Sequence, residues 1–478
     1  MTSKQSRVPL WLTLCLALSI LFFAANLILG WDRSYWYDEV YTLGYANVGR
    51  PLDWALLKSD VHPPTYALLV RGLAGVFGLD PTGFALRLIN LPALFAALWA
   101  FWLLREILSP QKLMLLALLF MVNFYTLMLG LDLRSYALLL GFGLLAHTFY
   151  LREVWGLAPR HLALLLCCTL LTSLHFFGAA IGLSILLCSA YLGMRRGMPM
   201  AAVAVRLGLA AALTSAMLAW ILVYSDVLDA TGGNNWIRVG LDPWLDFIGW
   251  QGLAMVTGLI SIVIRRSGGT EPVPVVAKLL MLPALLTLVV TVAISLHSPV
   301  ISARNLSVVV PPFLLFVVLT VPPALFSKGL GLQKSVGSGI GVAGAIAVVV
   351  TALIGVRLTD STTRNGQMIR WVLEEALTPE CRDAPIFVKR PDQLDSVAQI
   401  AFTGAVSRPP VNYPQYDPAL IPEACEVVGM GWHELGEIDE VVAFLTDRGA
   451  EVEAVLPPDP RLAARRLQTS GYVIIRTR

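Results

Sequence analysis

The stretch VPLWLTLCLALSILFFAANLILG, residues 8–30, decides the fold of this chain. It contains no charged residue and is longer than the ~20 apolar residues that a transmembrane helix requires. The run is too long for the apolar region of a secretory signal peptide, and no small-x-small cleavage site precedes the next charged residues. We therefore interpret it as a retained first membrane helix, with Lys4 and Arg7 on the cytoplasmic side.

The composition extends this interpretation to most of the chain. Of the 478 residues, 56% are hydrophobic and 14% are charged, whereas a soluble domain has about 25% charged residues. The sequence therefore predicts a mainly α-helical, polytopic membrane protein. Its net charge of +3 comes without a basic helix or a basic patch interleaved with aromatic residues, so we expect no nucleic-acid partner.

Eleven apolar segments have membrane-spanning length, and they form a predicted transmembrane helix bundle over residues 1–357. The segment 65–79 is too short to cross and contains Arg71, so we interpret it as an interfacial helix in the first outer loop. The eleven segments are about 8–30, 84–104, 113–130, 133–151, 161–176, 178–193, 202–224, 244–264, 276–296, 306–326 and 337–357.

The distribution of Lys and Arg tests this count, because cytoplasmic loops are enriched in both residues. With the N-terminus inside, the short outer loops carry only Arg134, Arg238 and Arg304. Eleven spans then place the C-terminus outside the membrane. The inner loops carry Arg105, Lys112, Arg152, Arg160, Arg195, Arg196, Arg206, Arg265, Arg266, Lys278, Lys328 and Lys334.

The composition changes after Arg357, where the chain becomes charged and Pro-rich. Residues 358–478 alternate predicted strands and helices, which favours a small extracytoplasmic α/β domain. Cys381 and Cys425 are its two cysteines, and in an oxidising compartment they are predicted to form a disulfide; two separate buried thiols are the alternative. The predicted strands are 384–390, 425–432 and 471–478, and the predicted helices are 364–377, 393–404 and 438–449.

Polar residues gather on the outer side of the predicted bundle. The first outer loop, residues 31–83, is the longest and contains SYWYDEVYTLGYA (34–46) and DVHPPTY (60–66). Each candidate residue also has a purely structural explanation. A functional site is favoured because all of these residues are predicted to lie on the same, outer side of the membrane. The structural alternatives are a solvated loop or an N-cap for Asp38 and Glu39, a rigid turn at His62, a local ion pair of Asp132 with Arg134, an interfacial histidine at His175 and a snorkelling arginine at Arg304.

Four motifs resemble those of the C-class integral-membrane glycosyltransferases, specifically the protein O-mannosyltransferase and aminoarabinose transferase superfamily. The resemblance covers roughly residues 8–357, and Asn305 departs from it because many relatives have Tyr there. The motifs are W-Y-D-E-V-Y-T (36–42), H-P-P-T-Y (62–66), L-D-L-R-S-Y-A-L (131–138) and A-R-N-L (303–306), the last followed by P-P-F-L-L (311–315).

The resemblance implies an enzyme of a bacterial-type cytoplasmic membrane. It would transfer a hexosyl or pentosyl group from a polyprenyl-phosphate donor to an extracytoplasmic hydroxyl of a lipid, glycan or protein, usually with inversion. The implied general base is Asp38, with Glu39 as its support or as the second candidate. Substrate contacts are implied at Asp60, His62, Asp132, Arg134, Tyr136, His175 and Arg304.

The chemistry of such a transfer agrees with these residue types. An acceptor hydroxyl needs a positioned base as it attacks the anomeric carbon, and a nearby carboxylate also stabilises an oxocarbenium-like transition state. The leaving phosphate gains negative charge, which suits Arg134 and Arg304. Asp60 and His62 could also hold a divalent metal together with Asp38 or His175; contact of His62 with phosphate or sugar is the alternative.

Two functions of other classes compete with catalysis: a transporter or flippase of lipid-linked sugars, and an envelope assembly scaffold. Transporters commonly carry charges at mid-depth of the membrane, whereas the ionisable residues here gather at one face. In a scaffold, the long acidic and aromatic first loop would have no assigned task. The pattern therefore favours a membrane glycosyltransferase.

Overall fold

The structure is a computed structural model, and it describes part of the chain. The predicted span 337–357, the predicted helices 364–377 and 393–404, and the residues Asp38, Asp60, Cys381 and Cys425 lie outside the described residues. The described residues are 10–29, 39, 42, 45, 46, 51, 52, 54–59, 62–79, 84–123, 125, 126, 132–224, 240–267, 274–296, 300–322, 386–388, 410–412, 426–431, 435–449, 451–456 and 471–476.

Helices account for most of the described residues. Short segments of other helical type precede or extend some of them, namely 3₁₀ helices at Phe84–Asn90 and Asn305–Val309 and a π-helix at Trp220–Tyr224. The α-helices are α1 (Leu10–Leu29), α2 (Trp54–Ser59), α3 (Thr65–Phe77), α4 (Leu91–Leu104), α5 (Pro110–Met121), α6 (Tyr136–Trp155), α7 (His161–Leu174), α8 (Phe176–Arg195), α9 (Met200–Ala219), α10 (Asp242–Trp250), α11 (Gly252–Ser267), α12 (Val275–Ser295), α13 (Val310–Thr320) and α14 (Leu435–Asp447).

The helices make the chain a multi-pass membrane protein. Five helices of the described part are long and apolar enough to cross a membrane, and a sixth span is counted if the bent pair Asp242–Trp250 and Gly252–Arg265 forms one. Every predicted span except 337–357 overlaps a described helix. The five helices are Ala85–Leu104, Tyr136–Trp155, Phe176–Arg195, Met200–Tyr224 and Val275–Ser295.

Helix α6 is the most deeply buried of these five, because other helices surround it. A Cβ atom on Gly141 would clash with the backbone carbonyl of Ala93, so the missing side chain lets α6 and α4 approach closely. Gly178 likewise lets α8 approach α7 closely, because a Cβ atom there would clash with the backbone carbonyl of Leu171. These close approaches position the N-terminal ends of α6 and α8, where Arg134, Tyr136 and His175 lie.

The chain divides into two compact units. The first comprises Met1–Ile28, Trp54–Tyr66 and Leu88–Gly355 and contains α4 to α13. The second comprises Leu29–Asp53, Ala67–Arg87 and Val356–Arg478, so it includes two stretches of the predicted first outer loop besides the C-terminal residues.

The second unit contains a mixed five-stranded sheet with the strand order β2-β1-β3-β5-β4. Strand β1 pairs in parallel with β2 and β3, whereas β5 pairs antiparallel with β3 and β4. Three strands lie in segments predicted as strands, and α14 overlaps the predicted helix 438–449. The sequence analysis missed β2 and β4. The strands are β1 (Ile386–Val388), β2 (Pro410–Asn412), β3 (Glu426–Gly431), β4 (Glu451–Leu456) and β5 (Gly471–Arg476).

Candidate active site

His175 lies between α7 and α8 in extended conformation, and its side chain is buried. Its Nδ1 atom accepts a 3.1 Å hydrogen bond from the backbone N–H of Phe177, so His175 caps the N-terminus of α8. Because Nδ1 is an acceptor, the neutral ring carries its proton on Nε2. Among the described residues this buried Nε2 has no hydrogen-bond partner.

His62 and Arg134 accompany His175. The two imidazole rings stack with their centroids 4.5 Å apart. Burial lowers the pKa of His175 to about 3, with a further contribution from the positive charge of Arg134. The pKa of His62 is also well below its usual value, because of burial first and then of His175 and Arg134. Both rings are therefore neutral at pH 7, and Arg134 supplies the positive charge.

Tyr136 extends this group toward the last of the four motifs. Its ring centroid lies 5.4 Å from that of His175, and its hydroxyl donates a 3.3 Å hydrogen bond to Oδ1 of Asn305. Asn305 is held in turn by donating from Nδ2 to the carbonyl of Val300, at 2.9 Å. The group of His62, Arg134, Tyr136 and His175 is called the histidine cluster below.

Asn90 connects two of the sequence motifs. Its Oδ1 accepts a 3.2 Å hydrogen bond from the hydroxyl of Tyr66, and its Nδ2 donates to the backbone carbonyl of Asp132 at 2.6 Å. Asn90 and Asp132 are both buried. Because the same carbonyl also accepts from the backbone N–H of Arg134 at 2.7 Å, Asn90 fixes the turn that presents Arg134.

The acidic motif of the first loop contributes Glu39 to a separate ion pair in the second unit. Arg87 donates from Nε and Nη2 to the two carboxylate oxygens of Glu39, each at 3.1 Å. Both side chains are almost fully buried, and such a bidentate pair is a strong, geometrically specific contact. Arg71 also donates to the carbonyl of Ala46, at 3.1 Å, so two arginines bind this part of the loop.

The other predicted site residues stand as follows. Asp38 and Asp60 lie outside the described residues, as does the predicted disulfide of Cys381 with Cys425. Arg304 is half-buried and occupies the N-cap position of the 3₁₀ helix that begins at Asn305, without a side-chain capping hydrogen bond. Within the described part of the chain, no group of three or more His, Cys, Asp or Glu residues is arranged to hold a metal ion.

Three polar residues at these sites were missed by sequence reasoning: Arg87, Asn90 and Asn305. The first two lie in FALRLIN (84–90), which was treated only as the start of an apolar span. A charged and an amide side chain within such a segment are expensive to bury, and that cost was a usable signal of partners inside the protein. Asn305 was noted only as a departure from the resembled family.

Comparison with solved structures identifies the fold. The crystal structure of ArnT from Cupriavidus metallidurans in the apo state matches with a TM-score of 0.59 and 13% identity, covering 97% of this chain and 97% of that chain. The same protein bound to undecaprenyl phosphate matches with a TM-score of 0.55 and 15% identity, covering 97% and 98%. No family model and no curated protein matches the chain.

These matches cover nearly the full length of both proteins. The chain therefore has the fold of ArnT, an aminoarabinose transferase of the C class of membrane glycosyltransferases. The resemblance that the sequence motifs indicated is thus confirmed at the level of the fold.

Proposed function

We propose that this protein is a membrane glycosyltransferase. It transfers a sugar from a polyprenyl-phosphate donor to a hydroxyl acceptor outside the cytoplasmic membrane, with inversion. The observation that carries the proposal is the histidine cluster, in which Arg134 lies among neutral imidazoles and His175 keeps a buried Nε2–H donor. The shared fold with ArnT, which was crystallised with undecaprenyl phosphate, supports a lipid phosphate as the ligand.

The histidine cluster would stabilise the leaving phosphate. As the glycosidic C–O bond breaks, negative charge grows on the phosphate oxygens, and donors aimed at that charge lower the barrier. Arg134 is suited to bind two phosphate oxygens at once, and Nε2–H of His175 donates a further hydrogen bond. Arg304 is assigned the same role because its neighbour Asn305 bonds to Tyr136 of the cluster.

The general base is assigned to Asp38 rather than Glu39. A base must reach the acceptor proton, whereas the side chain of Glu39 is fully buried and its two carboxylate oxygens accept hydrogen bonds from Arg87. That bidentate pair holds the carboxylate of Glu39 in place. Glu39 is therefore assigned the task of fixing the loop that carries Asp38.

A divalent metal at Asp60 and His62 is a weaker assignment. The positive charge of Arg134 lowers the pKa values of His62 and His175, and the same positive charge disfavours a cation beside the two rings. The described residues of this group therefore suit an anion better than a cation. His62 is accordingly assigned to phosphate or sugar contact.

The remaining assignments follow the sequence pattern. The excess of Lys and Arg in alternate loops supports a cytoplasmic N-terminus, eleven spans in a bacterial-type inner membrane and an outer C-terminus. Residues 358–478 are assigned to an extracytoplasmic α/β domain, and the described sheet strands and α14 support that assignment.

The test is a transfer assay with the full-length protein in proteoliposomes. Polyprenyl-phosphate sugars are supplied as donors and outer-envelope extracts as acceptors, and transferred sugar is measured. We expect the variant Asp38→Asn to lose at least about 100-fold in rate, which is the usual contribution of a general base. Glu39→Gln serves as the comparison, because it removes a charge next to Asp38 in the same motif.

The outcomes separate the competing functions. Transfer that is unaffected by Asp38→Asn would overturn the base assignment. Movement of the labelled lipid across the bilayer without any transfer would indicate a flippase. If neither movement nor transfer is detected, the assembly scaffold is the function that remains. A larger loss in Glu39→Gln than in Asp38→Asn, with both variants equally stable, would exchange the roles of the two carboxylates.

A further inference from the structure

A groove of about 470 Å³ lies where α4 meets the start of α7, in the first unit. It belongs to the end of the bundle at which α6 ends with Trp155, about 30 Å along that helix from the histidine cluster. None of its residues has a role in the proposed reaction. The groove is lined by Trp99, Arg160, His161, Leu162, Ala163 and Leu166.

The walls of the groove are apolar and open to the surroundings. Trp99 is 41% exposed, Leu162 is 70% exposed and Leu166 is 60% exposed. The indole of Trp99 is nevertheless held in place, because it packs edge-on against Phe149 with ring centroids 5.5 Å apart. Exposed apolar side chains on membrane helices are suited to contact a lipid acyl chain.

The rim of the groove carries two hydrogen-bond donors. Arg160 is exposed. The Nδ1 atom of His161 lies 2.7 Å from Nη2 of Arg206. Because a guanidinium group can only donate, Nδ1 of His161 is the acceptor and the neutral ring carries its proton on Nε2. Arg206 is itself fixed by Glu153, at 2.5 Å. A buried ion pair thus orients the ring of a half-buried histidine at the groove.

The surrounding loops are strongly basic. Segments 105–112, 152–161 and 195–206 contain only two acidic residues, Glu106 and Glu153. Each of the two is already in an ion pair, Glu106 with Arg152 at 2.8 Å and Glu153 with Arg206. The basic residues of the same segments are Arg105, Lys112, Arg152, Arg160, Arg195, Arg196 and Arg206.

We propose that the groove binds one anionic phospholipid of the bilayer, of the phosphatidylglycerol type. Its phosphate accepts hydrogen bonds from Arg160 and from Nε2 of His161, and one acyl chain lies along Trp99, Leu162 and Leu166. Basic pockets between membrane helices commonly bind such headgroups. A free phosphate ion would use only the rim, and a zwitterionic lipid would gain nothing from the excess of basic residues.

The test is native mass spectrometry of the purified full-length protein with added phosphatidylglycerol or phosphatidylcholine. One arginine–phosphate contact near the membrane surface corresponds to a change of about five-fold in Kd. We expect Arg160→Gln to weaken phosphatidylglycerol binding by about that factor and Leu162→Gln to weaken it as well. Arg195→Gln is the matched control, because Arg195 is exposed at the same end and is not part of the groove lining; it should bind like the wild type.

Several outcomes would overturn the proposal. If Arg160→Gln binds phosphatidylglycerol as tightly as the wild type does, the assignment of the headgroup to Arg160 is wrong. If the wild type binds phosphatidylcholine as tightly as phosphatidylglycerol, the groove has no preference for an anionic lipid. Displacement of the lipid by stoichiometric undecaprenyl phosphate would make the groove a site for that lipid instead, and displacement by inorganic phosphate would reduce it to an ion site. Equal unfolding midpoints of the variants exclude misfolding as the cause.

Discussion

The two ends of helix α6 carry polar groups of opposite character. At the end near Trp155, Glu153 accepts hydrogen bonds from Arg206 and Ser189, at 2.5 and 2.6 Å, and Arg196 donates to its backbone carbonyl. Positive and negative charges are thus paired within the protein. At the end near Tyr136, the buried Nε2 of His175 has no hydrogen-bond partner among the described residues.

The difference indicates what each group does. When a buried carboxylate neutralises a buried cation, the ion pair connects elements of the fold and stabilises helix packing. A buried donor without a protein partner is costly, and it is retained where a ligand completes it. The first group should therefore control stability, and the histidine cluster should control transfer with little effect on stability.

The largest effect is expected for Glu153→Gln, which leaves the cation of Arg206 buried without its counter-charge. Breaking a buried ion pair in this way costs about 3–5 kcal/mol of unfolding free energy, measured by chemical denaturation in detergent micelles. Glu106→Gln is the matched control, since Glu106 is 40% exposed in its pair with Arg152; water reaches that pair, so the loss of stability should be smaller. Equal losses in the two variants would contradict the interpretation of the Glu153 network as structural.

The next effect is on catalysis and concerns Arg134→Gln. Removing a phosphate donor from the histidine cluster should lower kcat/KM about 100-fold, equivalent to ~2.7 kcal/mol. Arg134→Lys should recover part of this loss, because it restores the charge without the bidentate geometry. If Arg134→Gln lowers stability by several kcal/mol instead, the two ends of α6 do not differ as described.

The third effect is a dependence of stability on pH. Since the pKa of folded His175 is about 3 and that of an unfolded histidine is about 6.5, the unfolded state binds more protons between these values. The contribution of His175 to the unfolding free energy should therefore be fully present above pH 6.5 and fall by up to about 1.4 kcal/mol per pH unit below it, in addition to a fall in the same direction from His62. His175→Asn should flatten this slope, because asparagine can still cap α8 but does not titrate. An unchanged slope in the variant would show that His175 is not the titrating group.

The smallest effect is expected for Tyr136→Phe. Loss of the hydroxyl bond to Asn305 should cost about 1 kcal/mol of stability and should also reduce transfer, because it loosens the contact between the cluster and the segment carrying Arg304. Tyr150→Phe is the matched control. Tyr150 lies on α6 like Tyr136, and its hydroxyl donates a 3.2 Å hydrogen bond to the carbonyl of Leu279. It should cost similar stability and leave transfer unchanged; a similar loss of transfer in both would contradict the role of Tyr136.

Much of the architecture could be predicted from local sequence, because a membrane span needs only length and apolarity. The segments 133–151 and 276–296 were predicted within a few residues of α6 and α12. The bent pair α10 and α11 was predicted as one membrane span, 244–264, and the two helices are bent by 75°. Periodicity does not report such a bend. The strands β2 and β4 were also missed. Strand β2 has only three residues and begins with Pro410, and β4 contains two acidic residues; both compositions are atypical of strands.

The candidate site likewise combines features that the sequence predicted with contacts that it did not. Asp132, Arg134, His175 and Arg304 could be placed on one side of the membrane by counting spans, but no count indicates which side chains touch. Asn90 and Asn305 are single amides whose importance depends on partners 42 and 169 residues away. Their hydrogen bonds exist only when the helices pack.

By itself the sequence determined that this chain is a multi-pass helical membrane protein and which motifs carry its polar residues, because the energetics of the bilayer act on each segment separately. Tertiary structure alone decided that Glu39 is bound at both oxygens by Arg87 and that His62 and His175 stack near Arg134. The physical reason is that hydrogen bonds and charge interactions act over a few ångströms. They therefore depend on which helices are neighbours.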